Sequence, residues 1–75
     1  MKNKCRSIYT FNCYCVEVKS VVIRNTGVDH NHTMPHLSDL RQATRNIQED
    51  WLKTHNLPLP EQYIVLLNVN TFILN

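Results

Sequence analysis

The chain has 75 residues, 43% of them hydrophobic and 19% charged, and carries a net charge of +2. That apolar content argues against intrinsic disorder, and the length allows one domain near the lower size limit for unaided folding. The longest clean apolar run, Tyr63 to Leu67, falls far short of the ~20 residues a membrane-spanning helix needs.

The start MKNKCRSIYTF is basic but lacks the apolar stretch of a signal peptide. Three cysteines are an odd number with no small-domain disulfide pattern, which fits a reducing cytoplasm. Charge is unevenly spread. Lys2, Lys4, Arg6, Lys19 and Arg24 face only Glu17, whereas Arg41, Arg45 and Lys53 are outnumbered by Asp29, Asp39, Glu49, Asp50 and Glu61. A basic arm and an acidic body can steer a polar partner. Nine asparagines hint at an AT-rich gene of phage or mobile-element origin.

From Ser7 to Arg24 the density of β-branched, aromatic and cysteine residues predicts strand. Alternation puts Ile8, Thr10, Asn12, Tyr14, Val16 and Val18 on one face. Tyr9, Phe11, Cys13, Cys15 and Glu17 fall on the other. A straight strand of that length would reach about 60 Å, twice the roughly 30 Å expected of the domain. The segment should therefore fold into a hairpin, bending at Asn12 or in the Glu17–Ser20 region. Asn25-Thr26-Gly27 is expected to end the strands, the only glycine serving a positive φ.

The histidine-rich loop VDHNHTMPH, residues 28–36, comes next. Beyond it Leu37, Leu40, Thr44, Ile47 and Trp51, at spacings of three and four, form one stripe of an amphipathic helix. Ser38 or Thr33 is the expected N-cap, and Asp39 complements the first turn. The helix should stop at His55-Asn56-Leu57-Pro58, where asparagine accepts a left-handed backbone and proline forbids continuation. Tyr63 to Leu74 is again strand-like. Its length calls for a break at Asn68-Val69-Asn70 or for an edge strand that overhangs and pairs with a second subunit. The expected fold is α+β: a small antiparallel sheet of three to four strands, order β(β)αβ(β), with one helix on one face.

The stretch VDHNHT, residues 28–33, resembles the opening of the HNH motif in the phage recombination endonuclease VII family. The resemblance implies His30 as general base and Asp29 as ligand of a divalent metal, a sensible pairing for metal-assisted hydrolysis. It covers six residues. That family continues with a glycine, an RGLLC-like segment and paired cysteines, whereas this chain has Met34, Pro35, His36 and a helix. The family's upstream C-x-x-C is here Cys13-Tyr14-Cys15.

Cys13, Cys15, His30 and His32 also make a candidate Cys₂His₂ zinc set, although both cysteines suit an apolar core equally well. The simplest alternative for residues 28–36 is a solvated connection that caps the helix.

No phosphate-binding glycine loop, nucleophile elbow or spaced carboxylate pair is present, which points away from an enzyme and from any cofactor other than zinc or another divalent metal. Nucleic-acid binding would use Lys2, Lys4, Arg6, Lys19 and Arg24. Protein binding is favoured, with Tyr9, Tyr14, Arg41, Arg45 and Tyr63 as candidate contacts because Tyr and Arg dominate interface energy. The partner would be a host or phage protein and the chain an inhibitor of anti-defence or antitoxin type, with homodimerisation through the terminal strand as a further option.

Overall fold

The computed structural model describes residues 4–17 and 19–74; Lys2 and Val18 lie outside them. Strand β1 (Cys5–Cys15) and strand β2 (Ser20–His30) form a hairpin. Helix α1 (Leu37–His55) follows, and a short 3-10 turn at Glu61–Tyr63 leads into strand β3 (Ile64–Ile73). The sheet order is β2-β1-β3, with β1 antiparallel to both neighbours. The fold is therefore α+β, three antiparallel strands and one helix packed on a face.

The hairpin bends after Cys15, where Lys19 adopts a left-handed φ of 51°. Asn12, the other candidate bend, sits in mid-ladder opposite Ile23. Asn25-Thr26-Gly27 does not end the strands either: β2 runs on to His30. Gly27 has no positive φ. A Cβ there would meet only side-chain atoms, Ile8 Cδ1 at 3.2 Å and Arg6 Cδ at 3.4 Å, so neither its backbone conformation nor a backbone contact demands glycine.

β3 is also unbroken through Asn68-Val69-Asn70. A shift of register between Thr10 and Phe11 leaves Leu67 as an extra residue, the signature of a bulge. Unbroken strands of ten and eleven residues fit because the molecule is elongated, 48 × 20 × 18 Å, and not the near-sphere that chain length alone suggests. At ~1.5 Å per residue the nineteen residues of α1 span about 28 Å, enough to return the chain along the sheet.

One face of β1 is buried and the other is not. Tyr9, Phe11, Cys13 and Cys15 join Val28, Ala43, Ile47, Trp51 and Leu59 in the core, so the predicted division of faces holds, with covering on one side only. All three cysteines are buried and free. Burial pushes the Cys13 thiol above its ordinary pKa, with Arg24 opposing, as befits a packing residue.

The N-cap is neither of the two residues proposed from sequence. His36 takes that place, in extended conformation, and Asp39 closes back on its N–H at 2.8 Å, half of a capping-box arrangement. Ser38 thus falls inside the helix and Thr33 in the loop. At the other end Asn56 takes φ 57° and its N–H donates to the Leu52 carbonyl at 2.8 Å, the left-handed cap expected there.

The buried face of α1 is Asp39, Ala43, Ile47 and Trp51, which is rotated from the predicted stripe. Leu40 and Thr44 are only half-buried and Leu37 is 63% exposed. The helix packs over β2 and the core face of β1, so the other side of its apolar stripe looks out across β3.

Candidate functional site

Strand pairing assembles a polar cluster at the end of the sheet nearest the start of α1. His30 ends β2 opposite Cys5, two residues from Ser7 along β1, and Thr71 of β3 pairs with Ser7. His30 Nδ1–H donates to the His32 carbonyl at 2.8 Å. In the neutral ring this leaves Nε2 as acceptor, so the Ser7 hydroxyl, 2.7 Å away, donates to it and accepts from Thr71 Oγ1 at 2.8 Å. One row of hydrogen bonds thereby crosses all three strands. His32 Nε2–H donates to Asp39 Oδ2 at 2.5 Å, the oxygen that also receives the His36 N–H.

The three imidazoles stack. His30 lies on His32 with centroids 4.4 Å apart, and His32 lies on His36 at 3.6 Å with planes 2° apart. Burial of Asp39 works to raise its carboxyl, but the His36 N–H, the His32 hydrogen bond and the nearby histidine charges outweigh it and hold the pKa below the ordinary value. One nitrogen each from His30 and His32 and one Asp39 oxygen lie within 4.8 Å of one another.

Among the sequence-derived metal candidates, only His30 and His32 meet here. Asp29 follows the strand alternation onto the opposite face, where the Arg6 fork holds it at 2.6 and 3.2 Å. Arg6 is the first cause that lowers its carboxyl pKa. The HNH-like pairing of Asp29 with His30 on one metal is therefore not assembled. Cys13 and Cys15 share the His30 face, but Cys13 pairs with Val22 and lies eight residues along β1 from Cys5, about 26 Å away. The Cys₂His₂ set is split between the two ends of the sheet.

The basic residues among the described ones do not form one patch. Lys4 precedes β1 and Lys19 occupies the far hairpin, about 35 Å apart by strand rise. Arg6 is paired with Asp29, and Arg24 turns inward with its guanidinium 5.7 Å from the Trp51 ring centre.

Tyr9, taken from sequence as a contact residue, is a core residue, 1% exposed. Its hydroxyl is buried and makes no well-formed hydrogen bond among the described residues; burial, then the Asp39 charge, raise its pKa, and the nearby Ser7 hydroxyl lowers it. Tyr14 and Tyr63 pack together at 5.8 Å between ring centres. Arg41 and Arg45 are exposed on α1.

A second feature lies beside the cluster. Between α1 and β3 runs an apolar trough. One part, about 330 Å³, is lined by Tyr9, Pro35, His36, Leu37, Leu40, Leu66 and Val69. Its continuation, lined by Phe11, Leu40, Arg41, Thr44, Glu61, Ile64 and Leu66, passes the basic ridge of the helix. Val65, Leu67, Phe72 and Ile73 of β3 are also about half exposed or more.

Sequence reasoning missed Ser7, Thr71 and Asp39 as members of the cluster. For Asp39 the signal was available in its place seven residues after His32, at the start of the predicted helix. No helix of the described residues is long and apolar enough to cross a membrane. No family model, curated protein or solved structure matches this chain.

Proposed function

We propose that the chain is a small non-enzymatic protein-binding module that takes an apolar segment of a partner protein into the trough between α1 and β3. The observation that carries this is Leu37. It opens the apolar stripe of the helix, yet it is 63% exposed and stands over a floor made by Tyr9, Leu66 and Val69. A 75-residue chain has few large apolar residues to spare, and contiguous exposed ones mark interaction sites.

The trough suits an amphipathic helix laid into a groove. Exposed Arg41 and Arg45 stand along its helix side with Glu61 opposite, favouring a segment with carboxylates beside its apolar anchors. Capturing such a segment would make the chain a competitive inhibitor of whatever that segment normally engages. An anti-defence or antitoxin role for a cytoplasmic phage or mobile-element protein is the biological form we attach to it, on the asparagine-rich composition.

The test is affinity capture from host lysate with the wild type and with Leu37→Glu, a change at an exposed site that leaves the core intact. A partner held by the wild type should be held at least about tenfold more weakly by the variant, the loss of one interface anchor. Its footprint in hydrogen exchange should cover Leu37–Thr44 and Ile64–Val69. Equal capture by both proteins would refute the trough as the binding surface.

A second reading has one specific support. No residue of β3 is charged, and its outer edge is unpaired among the described residues, so this edge carries none of the charges that block antiparallel pairing with β3 of a second copy. Light scattering should then give the mass of two chains, and Thr71→Lys should return it to one.

A further inference from the structure

We propose that His30, His32 and Asp39 bind one borderline divalent metal ion of the zinc class, independently of the trough. Two imidazole nitrogens and a carboxylate oxygen are a recurrent ligand set for zinc, leaving a fourth position for solvent. Calcium and magnesium would ask for more oxygens than this set offers.

The geometry brackets what a metal needs. Ligands on one tetrahedral zinc, at ~2.0–2.2 Å from it, are about 3.3–3.6 Å from each other. The His32–Asp39 pair stands at 2.5 Å with a proton between them, and the widest separation in the set is 4.8 Å. A metal ion would replace that proton: the N–H to carboxylate bond is exchanged for one metal–nitrogen and one metal–oxygen bond, and a proton leaves to solvent.

The His30 and His32 rings stack with planes 17° apart, so an ion requires both rings to turn until their lone pairs converge, and part of the support for that is present. The His32 carbonyl holds His30 Nδ1–H, as an outer partner of a metal-binding histidine does, and Nε2, which Ser7 engages at 2.7 Å, is the nitrogen left to bind an ion once that hydroxyl gives way. The Ser7 oxygen stands where the ion would bind, so His30 would have to swing away from it; Ser7 then keeps Thr71 Oγ1, 2.8 Å away, as its partner. The His36 N–H holds Asp39 from the other side. His30 and Asp39 are buried, and His32, whose side chain is 30% exposed, leaves the open coordination position toward solvent. The ion would clamp the end of β2, the connecting loop and the first turn of α1.

The set differs from the Cys₂His₂ grouping in a way that spectroscopy separates. The test is zinc and cobalt titration of the untagged chain after chelation, with metal content, absorbance and melting read together. The expected result is near-stoichiometric zinc and a rise in Tm of roughly 10 °C or more at a hundredfold excess over Kd. Cobalt should give visible d–d bands with no thiolate charge-transfer band. His32→Gln and Asp39→Asn should each weaken binding by more than about tenfold. If Asp39→Asn loses the helix cap and unfolds, His32→Gln, at a partly exposed site, decides alone. Less than about a tenth of an equivalent of zinc at saturation, unchanged affinity in folded His32→Gln, or a thiolate band would each overturn the proposal.

Discussion

Replacing Ser7 by alanine tests whether the row of hydrogen bonds across the three strands holds the cluster together. Ser7 is fully buried, with its hydroxyl 2.7 Å from His30 Nε2 and 2.8 Å from Thr71 Oγ1. Because His30 Nδ1–H is committed to the His32 carbonyl, Nε2 of the neutral ring can only accept, and Ser7 is its donor. The Ser7→Ala variant would leave a buried acceptor on a ring that is 6% exposed, a loss of about 1–3 kcal/mol. For a domain of this size each kcal/mol moves Tm by ~4–8 °C, so a fall of roughly 4–24 °C is expected. Thr71 is exposed and can turn to water, so Thr71→Val should cost only a few tenths of a kcal/mol, about the scale of an ordinary surface change. The two bonds have nearly the same length, so the contrast isolates burial as the cause. Urea melts read by the single buried tryptophan, Trp51, with chelator present, measure both. Equal losses in the two variants, or no loss in Ser7→Ala, would refute the assignment.

Tyr9→Phe removes a buried hydroxyl that makes no well-formed hydrogen bond among the described residues and should be neutral or stabilising by up to about 1 kcal/mol; a clear drop in Tm would mean that the nearby Ser7 hydroxyl satisfies it. Phe11→Ala, at a side chain 2% exposed, should cost about 3–5 kcal/mol. That is comparable with the whole stability of a domain this small, so the variant should be largely unfolded by circular dichroism at 25 °C.

Asp39 sets an acid limit. Its folded carboxyl lies below its ordinary value of 3.8, so the unfolded state takes up the proton first. The resulting stability is fully present above about pH 4 and lost as pH falls through the lower, folded value. Asp39→Asn should flatten that part of the stability–pH curve in metal-free melts; an unchanged acid slope would place its origin elsewhere.

Local chemistry made much of this protein legible from its residues. The density of β-branched and aromatic residues in 7–24, the apolar spacing from Leu37 to Trp51 and the Asn56-Leu57-Pro58 stop are properties of short segments, and they placed two strands, a helix and its left-handed cap. Alternation alone sorted Tyr9, Phe11, Cys13 and Cys15 onto one face, but that this face is the buried one, Tyr9 included, came from the packing of α1. Alternation also separates Asp29 from His30, because neighbouring strand residues point to opposite sides.

Tertiary structure decided what no segment contains. Register brought Ser7, His30 and Thr71 into one row from positions up to 64 residues apart, and it left Cys13 at the far end from the histidines. The seating of α1 over β2 and β1 rotated the buried stripe toward Ala43 and Asp39, drawing Asp39 into the histidine cluster and leaving Leu37 over an open trough. The strands stayed unbroken because the domain is elongated, a shape set by how sheet and helix pack and not by chain length. Short-range spacing fixes which face of an element is apolar, but which part of that face is covered depends on what lies across from it, and for the outer edge of β3 nothing among the described residues does.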